Sequence, residues 1–189
     1  MKVSANDLRV GNVIDYKNKL WVITKTMHTQ PGKGGAYIQA EMKALLDGQK
    51  LNERFRSAET LERAVLEEVD YQFLYADGDR LNFMNQETFE QIDLPEDIIN
   101  EDQRPFLQEN MIVVIQFHDG KPLSARLPET VVMTIVEADP VVKGQTAASS
   151  YKPAKLENGV RVMVPPFIES RTRIVVNTLD GSYVERAKD

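Results

Sequence analysis

The chain has 189 residues, 42% hydrophobic and 28% charged, with a net charge of −6 and no cysteine. This balance belongs to a folded globular protein and excludes wholesale disorder, a collagen-like repeat and a coiled-coil body. Without cysteine there are no disulfides, thiolate zinc sites or cysteine nucleophiles, and a reducing cytoplasm is the expected home. In chain order, the first segment, Met1-Lys2-Val3-Ser4-Ala5-Asn6-Asp7, lacks the apolar core of a signal peptide, so no export is expected. No apolar run reaches the ~18 residues of a membrane span, so no membrane partner is expected either.

Strand signals dominate the rest of the chain. Leu20-Trp21-Val22-Ile23-Thr24 is aromatic and β-branched, and the spacing predicts strands over 19–28 and 37–46. Further strands are predicted over 69–75, 111–117 and 130–137, with turns at Asp77-Gly78-Asp79, His118-Asp119-Gly120, Glu157-Asn158-Gly159 and Asp180-Gly181. Short helices are predicted around 94–99 and 104–108. This punctuation argues for small β-barrels rather than βαβ units. Three barrels fit the length, over 1–64, 65–127 and 128–189, each small enough to need support from packing against a neighbour.

Charge separates the same three segments. Met1 to Ala64 carries 11 Lys+Arg against 7 Asp+Glu, a net +4. Val65 to Leu127 carries 4 against 14, a net −10, and Pro128 to Asp189 carries 8 against 8. A basic first unit suits phosphate, where Lys and Arg displace condensed counterions. The acidic middle is repelled by the same polyanion and reads as a spacer, although solubility alone would explain the same counts.

Between the first two long strands lies Thr29-Gln30-Pro31-Gly32-Lys33-Gly34-Gly35-Ala36, where three glycines and a proline surround one lysine. Glycine opens backbone angles closed to other residues and carries no side chain, so the tip is expected to be exposed and adaptable. Flanking strands of about eight residues, at ~3.3 Å each, would hold it roughly 25 Å from the barrel. A Walker loop ending at Gly32-Lys33 would need glycine at Met27 and Ser or Thr at Gly34, so that reading fails. A Schiff-base lysine needs burial or a neighbouring cation, and a glycine-rich tip supplies neither. Two readings stay open: a solvated hairpin lysine, or a protruding cation that touches RNA or accepts a modification. Elsewhere His28 and His118 form no metal-ligand pair, Glu67-Glu68 and Glu101-Asp102 read as solvated acidic surface, and no Gly-x-Ser-x-Gly elbow occurs. No catalytic residue, metal or cofactor is expected, and the chain reads as a non-enzyme.

The loop, the three-barrel layout and the C-terminal segment together resemble the bacterial elongation factor P family over the full length. The resemblance rests on Pro31-Gly32-Lys33-Gly34, then Phe83-Met84-Asn85 and Thr88-Phe89-Glu90-Gln91. It continues through Lys152-Pro153-Ala154, Asn158-Gly159, Val162, Val164-Pro165, Phe167-Ile168, Gly181, Tyr183 and Arg186. It implies an all-β, L-shaped protein of tRNA-like outline, an SH3-like barrel of the KOW type followed by two OB-fold barrels. Such a factor binds both ribosomal subunits beside the peptidyl-site tRNA and relieves stalling at consecutive prolines. Its loop lysine points at the peptidyl-transferase centre, commonly extended with a β-lysyl group by a modifying enzyme. The tRNA and ribosome contacts implied are Pro31, Gly32, Lys33, Gly34 and Gly35, with Gly144, Thr146, Lys152, Tyr183 and Arg186 in the third barrel. Lys43, Arg54 and Arg56 of the basic unit are the expected phosphate contacts flanking the tip.

An extended cation at Lys33 would hold the acceptor end of the tRNA in place, so that the ribosome supplies the chemistry and the factor lowers its entropic cost. The sequence departs from the family at four places. Gln145 replaces an aspartate, Ala148-Ser149-Ser150-Tyr151 replaces a glycine-rich run, Arg171 replaces a glycine, and Asn177 replaces an aspartate. The alternatives are a factor-P-like paralogue with other stall sequences, a general single-strand RNA binder on OB folds, and an enzyme using Lys33. Stacking on a basic groove would mark the second, and the low aromatic content disfavours it. A monomer is the expected state.

Overall fold

The computed structural model describes residues 1–141 and 150–188. Its described residues form sixteen strands in three antiparallel-rich sheets, with helical structure limited to single 3-10 turns. They pack as two compact units, Met1–Glu68 with Gln116–Leu123, and Val69–Ile115 with Ser124–Asp189.

In the first unit the sheet order is β1(Lys2–Ser4), β6(Thr60–Arg63), β2(Val13–Tyr16), β3(Lys19–Thr29), β4(Tyr37–Ala44), β5(Lys50–Arg56). The β2–β3 turn places Lys17 at φ 50° and Asn18 at φ 61°. Two successive left-handed residues match the right-handed twist of the flanking strands. A bulge at Thr24 shifts the β3–β4 register between Ile23↔Met42 and Lys25↔Glu41, and the Thr24 hydroxyl donates to the Glu41 carbonyl at 3.0 Å. Extra twist at a bulge curls the sheet toward closure. Along β4 the alternation is strict: Ile38, Ala40, Met42 and Ala44 are buried, and the residues between them face outward. With Leu8, Ile14, Trp21, Ile23 and Phe55 they form one core. Full burial of such a large apolar side chain contributes about 1.5–3 kcal/mol relative to exposure.

The second sheet has the order β11(Lys121–Arg126), β10(Ile112–His118), β7(Glu67–Asp77), β8(Arg80–Asn85), β9(Gln91–Pro95). Asp119 at φ 49° and Gly120 at φ 75° close the β10–β11 hairpin as the Asp-Gly pair predicts. The two expected short helices are single 3-10 turns, Glu96–Ile98 and Arg104–Phe106. Prolines at 95 and 105 start a turn, and neither segment carries the apolar periodicity needed to extend it.

The third sheet has the order β14(Arg161–Val164), β13(Lys152–Leu156), β12(Thr130–Ala138), β15(Arg173–Asn177), β16(Tyr183–Arg186). The connection between β9 and β10, over residues 100–108, joins it to the second sheet within one compact unit. Gln103 is 4% exposed and its amide donates to the Thr178 hydroxyl at 3.2 Å. That hydroxyl in turn donates to the Pro128 carbonyl at 2.6 Å. Asn158 donates to the Pro105 carbonyl at 2.9 Å, and Gly181 lies against the buried Phe106 ring. Asn158 and Gly181, two positions that carry the family resemblance, are therefore fasteners between sheets. Two of the four departures, Arg171 and Asn177, also acquire a physical account, whereas Gln145, Ala148 and Ser149 lie outside the described residues. Arg171 sits at φ 70°, a left-handed conformation that glycine adopts without strain. Asn177 accepts from the Leu179 and Asp180 amides at 2.8 and 3.3 Å, a turn that an aspartate oxygen would cap in the same way.

Candidate functional site

The Lys33 loop spans residues 30–36 between β3 and β4. Gly32, Lys33 and Gly34 are exposed, and Lys33 has no ion-pair or hydrogen-bond partner among the described residues. Gly34 has φ 112°, so the backbone leaves the lysine through an angle that a side chain would strain. Around Gly32 and Gly35 an added Cβ would meet nothing within 4 Å. Backbone at this tip is thus open to close approach from outside.

The expected 25 Å projection is not what the structure has. β5 pairs with β4 along its whole length, from Lys43↔Lys50 to Tyr37↔Arg56. Ile38 and Phe55, both nearly fully buried, carry the core to the base of the loop. The Ser57 amide closes the base by donating to the Ala36 carbonyl at 3.0 Å. The loop alone projects, from a stiff three-stranded end. A hairpin seen in isolation gives no sign of its third strand, because pairing across Tyr37↔Arg56 leaves no local signal.

Antiparallel register places directly paired side chains on the same face. The outer face of β3–β5 therefore carries Lys25, Tyr37, Glu41, Lys43, Lys50, Arg54 and Arg56. Arg54 and Arg56 stand beside the loop. Lys43 does not: it lies six residues down β4, roughly 20 Å away at ~3.3 Å per residue. There it approaches Gly48 at the opposite end of the sheet. The five cations of this face have no ion-pair partner among the described residues, whereas Lys17 and Lys19 pair with Glu53 and Asp47 at 3.3 and 2.7 Å. The hydrogen bond and charge of Glu53 raise the Lys17 pKa above its ordinary 10.5. The Lys19 hydrogen bond lowers that of Asp47 below 3.8.

The residue that sequence reasoning missed is Tyr37. Its ring lies under the Arg54 guanidinium, with Cζ 4.1 Å from the ring centroid. Gln39 next to it donates to Asn52 at 3.1 Å. The alternation Tyr37, Gln39, Glu41, Lys43 was the available signal, since period-2 spacing alone places these four on one face.

In the third barrel the predicted residues separate. Tyr183 meets Tyr151 edge-on, with centroids 6.5 Å apart and an interplanar angle of 84°. Burial, reinforced by Tyr151, raises the Tyr183 pKa above 10.0, and Arg186 opposes that shift. Lys152 instead turns to the Asp139 carbonyl at 2.5 Å. Gly144 and Thr146, with Gln145, lie outside the described residues. His28 is exposed, and His118 is half-buried with Nδ1 3.8 Å from Asp119. Among the described residues no cluster of three or more His, Asp or Glu could hold a metal ion. No helix among them is long and apolar enough to cross a membrane.

Comparison with known proteins matches the three sheets in turn. The model of the elongation factor P KOW-like domain matches residues 4–61. The model of its OB domain matches 66–125, and that of its C-terminal part matches 131–186. Elongation factor P of Erythrobacter litoralis is 58% identical over 187 residues, 99% of this chain and 100% of the relative. That of Rhodospirillum centenum is 58% identical over 189 residues, the whole of both, and that of Brucella canis is 54% identical over 187. Among solved structures, eukaryotic translation initiation factor 5A from Methanococcus jannaschii superposes with a TM-score of 0.58 at 22% identity, covering 68% of this chain and 94% of that one. That last likeness speaks for the fold alone, and it agrees with a KOW-like barrel followed by OB-type barrels. With family models along its length and relatives of 54–58% identity spanning it, the chain belongs to the elongation factor P family of translation factors.

Proposed function

We propose that this translation factor binds the ribosome beside the peptidyl-site tRNA and stimulates peptide-bond formation at stalled sequences, chiefly consecutive prolines. The observation that carries the reading is the Lys33 tip, an exposed lone cation on a glycine-rich loop braced by three strands. Beside it stand Arg54 and Arg56, cations suited to phosphate. Proline restricts the backbone and disfavours the reactive geometry, so a factor that holds the acceptor end in place lowers the barrier by positioning. Nothing in this role requires the chain to break or form a bond.

In this reading Pro31, Gly32, Gly34 and Gly35 let backbone approach the terminal nucleotides, and Lys33 reaches them, extended by a modifying enzyme with a group such as β-lysyl. Tyr183 and Arg186 take part in contacts of the third barrel. The chain acts in the cytoplasm as a monomer, with domains over 1–64, 65–127 and 128–189. Relatives of 54–58% identity that carry the name elongation factor P favour this over a paralogue with other stall specificity. The test is intact and peptide mass spectrometry of protein from its native source, paired with ribosome sedimentation at low salt. A mass increase localised to Lys33 together with co-sedimentation supports the reading. A bare Lys33 removes the extension from it, and failure to co-sediment rejects the ribosomal role.

A further inference from the structure

We infer that Tyr37 is a positioning residue, whose ring holds the Arg54 guanidinium ready for a phosphodiester of the bound RNA. The inference rests on the ribosomal reading above and adds a residue and a ligand group to it. Three observations carry it. The first is the stack itself, with Cζ 4.1 Å from the ring centroid. The second is register: Arg54 pairs with Gln39, so Tyr37 is its diagonal neighbour on the outer face, one position nearer the loop. The third is charge. This face carries five cations against Glu41 alone, a net +4 on a chain of −6.

Arginine loses much side-chain freedom when it is fixed on a ligand, at a cost of about 0.5–1.5 kcal/mol per immobilised side chain. A ring beneath the guanidinium removes part of that cost before binding, because stacking on an aromatic face is a geometry that arginine favours. With one face covered by Tyr37, the planar fork still presents its N–H edge outward. That edge matches two phosphate oxygens in a way a lysine ammonium does not. Glu53, the acid nearest in β5, faces the other side and is held by Lys17 at 3.3 Å. Glu41, the other diagonal neighbour of Arg54 on this face, forms no ion pair with it among the described residues, so no carboxylate of β4 or β5 holds Arg54.

The test measures affinity of the full chain for ribosomes carrying peptidyl-site tRNA, across a series of salt concentrations. Arg54→Ala is expected to reduce the slope of log K against log salt by about 0.7–0.9, the signature of one lost phosphate contact. Tyr37→Ala is expected to weaken binding roughly 2- to 10-fold, the ordering cost expressed as a ratio. Tyr37→Phe keeps the ring and should bind within about 2-fold of wild type, whereas Tyr37→Leu, which keeps apolar bulk at the strand end, should not. In an Arg54→Ala background, Tyr37→Ala should add nothing. Wild-type affinity for Tyr37→Ala, an unchanged slope for Arg54→Ala, or a full further loss in the double variant would each overturn the inference. In all three cases wild-type binding leaves the ribosomal reading intact. If the wild-type chain itself fails to bind, both fall together.

Discussion

Thr178→Val should destabilise the second compact unit by about 2 kcal/mol, from the ~1–3 kcal/mol cost of leaving a buried polar group unsatisfied. The substitution keeps the shape of the side chain and removes only the hydroxyl. That hydroxyl is fully buried, accepts from Gln103 Nε2 at 3.2 Å and donates to the Pro128 carbonyl at 2.6 Å. Its loss leaves the Gln103 amide, 4% exposed, with a donor that water cannot reach. Urea unfolding followed by circular dichroism should show the midpoint falling by about 1 M, taking a slope of ~2 kcal/mol per M. Trp21, the single tryptophan, belongs to the other unit, so its fluorescence transition should move less. Thr178→Ser, which keeps the hydroxyl, should recover most of the loss. A Thr178→Val protein within ~0.5 kcal/mol of wild type, the range of an ordinary surface change, would refute the account of this junction.

Arg171→Gly should stabilise the chain by about 1 kcal/mol, because φ 70° is strained for arginine and open to glycine; calorimetry checks the direction. Lys33→Ala should leave the unfolding midpoint within experimental error, since the side chain is exposed and unpartnered among the described residues. Asp180 is held below its ordinary 3.8 by the Ser182 hydroxyl, then by the Ser182 amide. Its stabilisation is therefore complete above the unfolded value and lost as pH falls through the folded one, and Ser182→Ala should raise the carboxyl pKa in an NMR titration. Tyr151→Ala should lower the raised pKa of Tyr183 toward 10.0, read by ultraviolet absorbance between pH 9 and 12.

Much of the fold was legible because alternation is a local signal. The buried set of β4, from Ile38 to Ala44, and the Asp119-Gly120 turn follow from neighbouring residues alone. The candidate site was half legible. The glycines around Lys33 mark an exposed tip, but whether Arg54 or Lys43 stands near it depends on β5 register, fixed by pairing across the sheet. The junction of the second and third sheets was illegible for a related reason. Gln103 and Thr178 look like surface residues in sequence, and only their meeting across 75 positions makes them interior. Strain at Arg171 was visible only as a departure from family pattern, and the positive φ supplies its cause.

The proposed role of the Lys33 tip is to accelerate bond formation by positioning the tRNA acceptor end. Its most direct measurement is the rate of peptide-bond formation between successive prolines on reconstituted ribosomes, with native protein, with Lys33→Ala, and with neither. The account predicts acceleration by the native protein at proline pairs, little effect on ordinary sequences, and loss of the acceleration in Lys33→Ala while binding to the ribosome persists. Equal acceleration by native protein and Lys33→Ala, or no difference between proline pairs and other sequences, would contradict it.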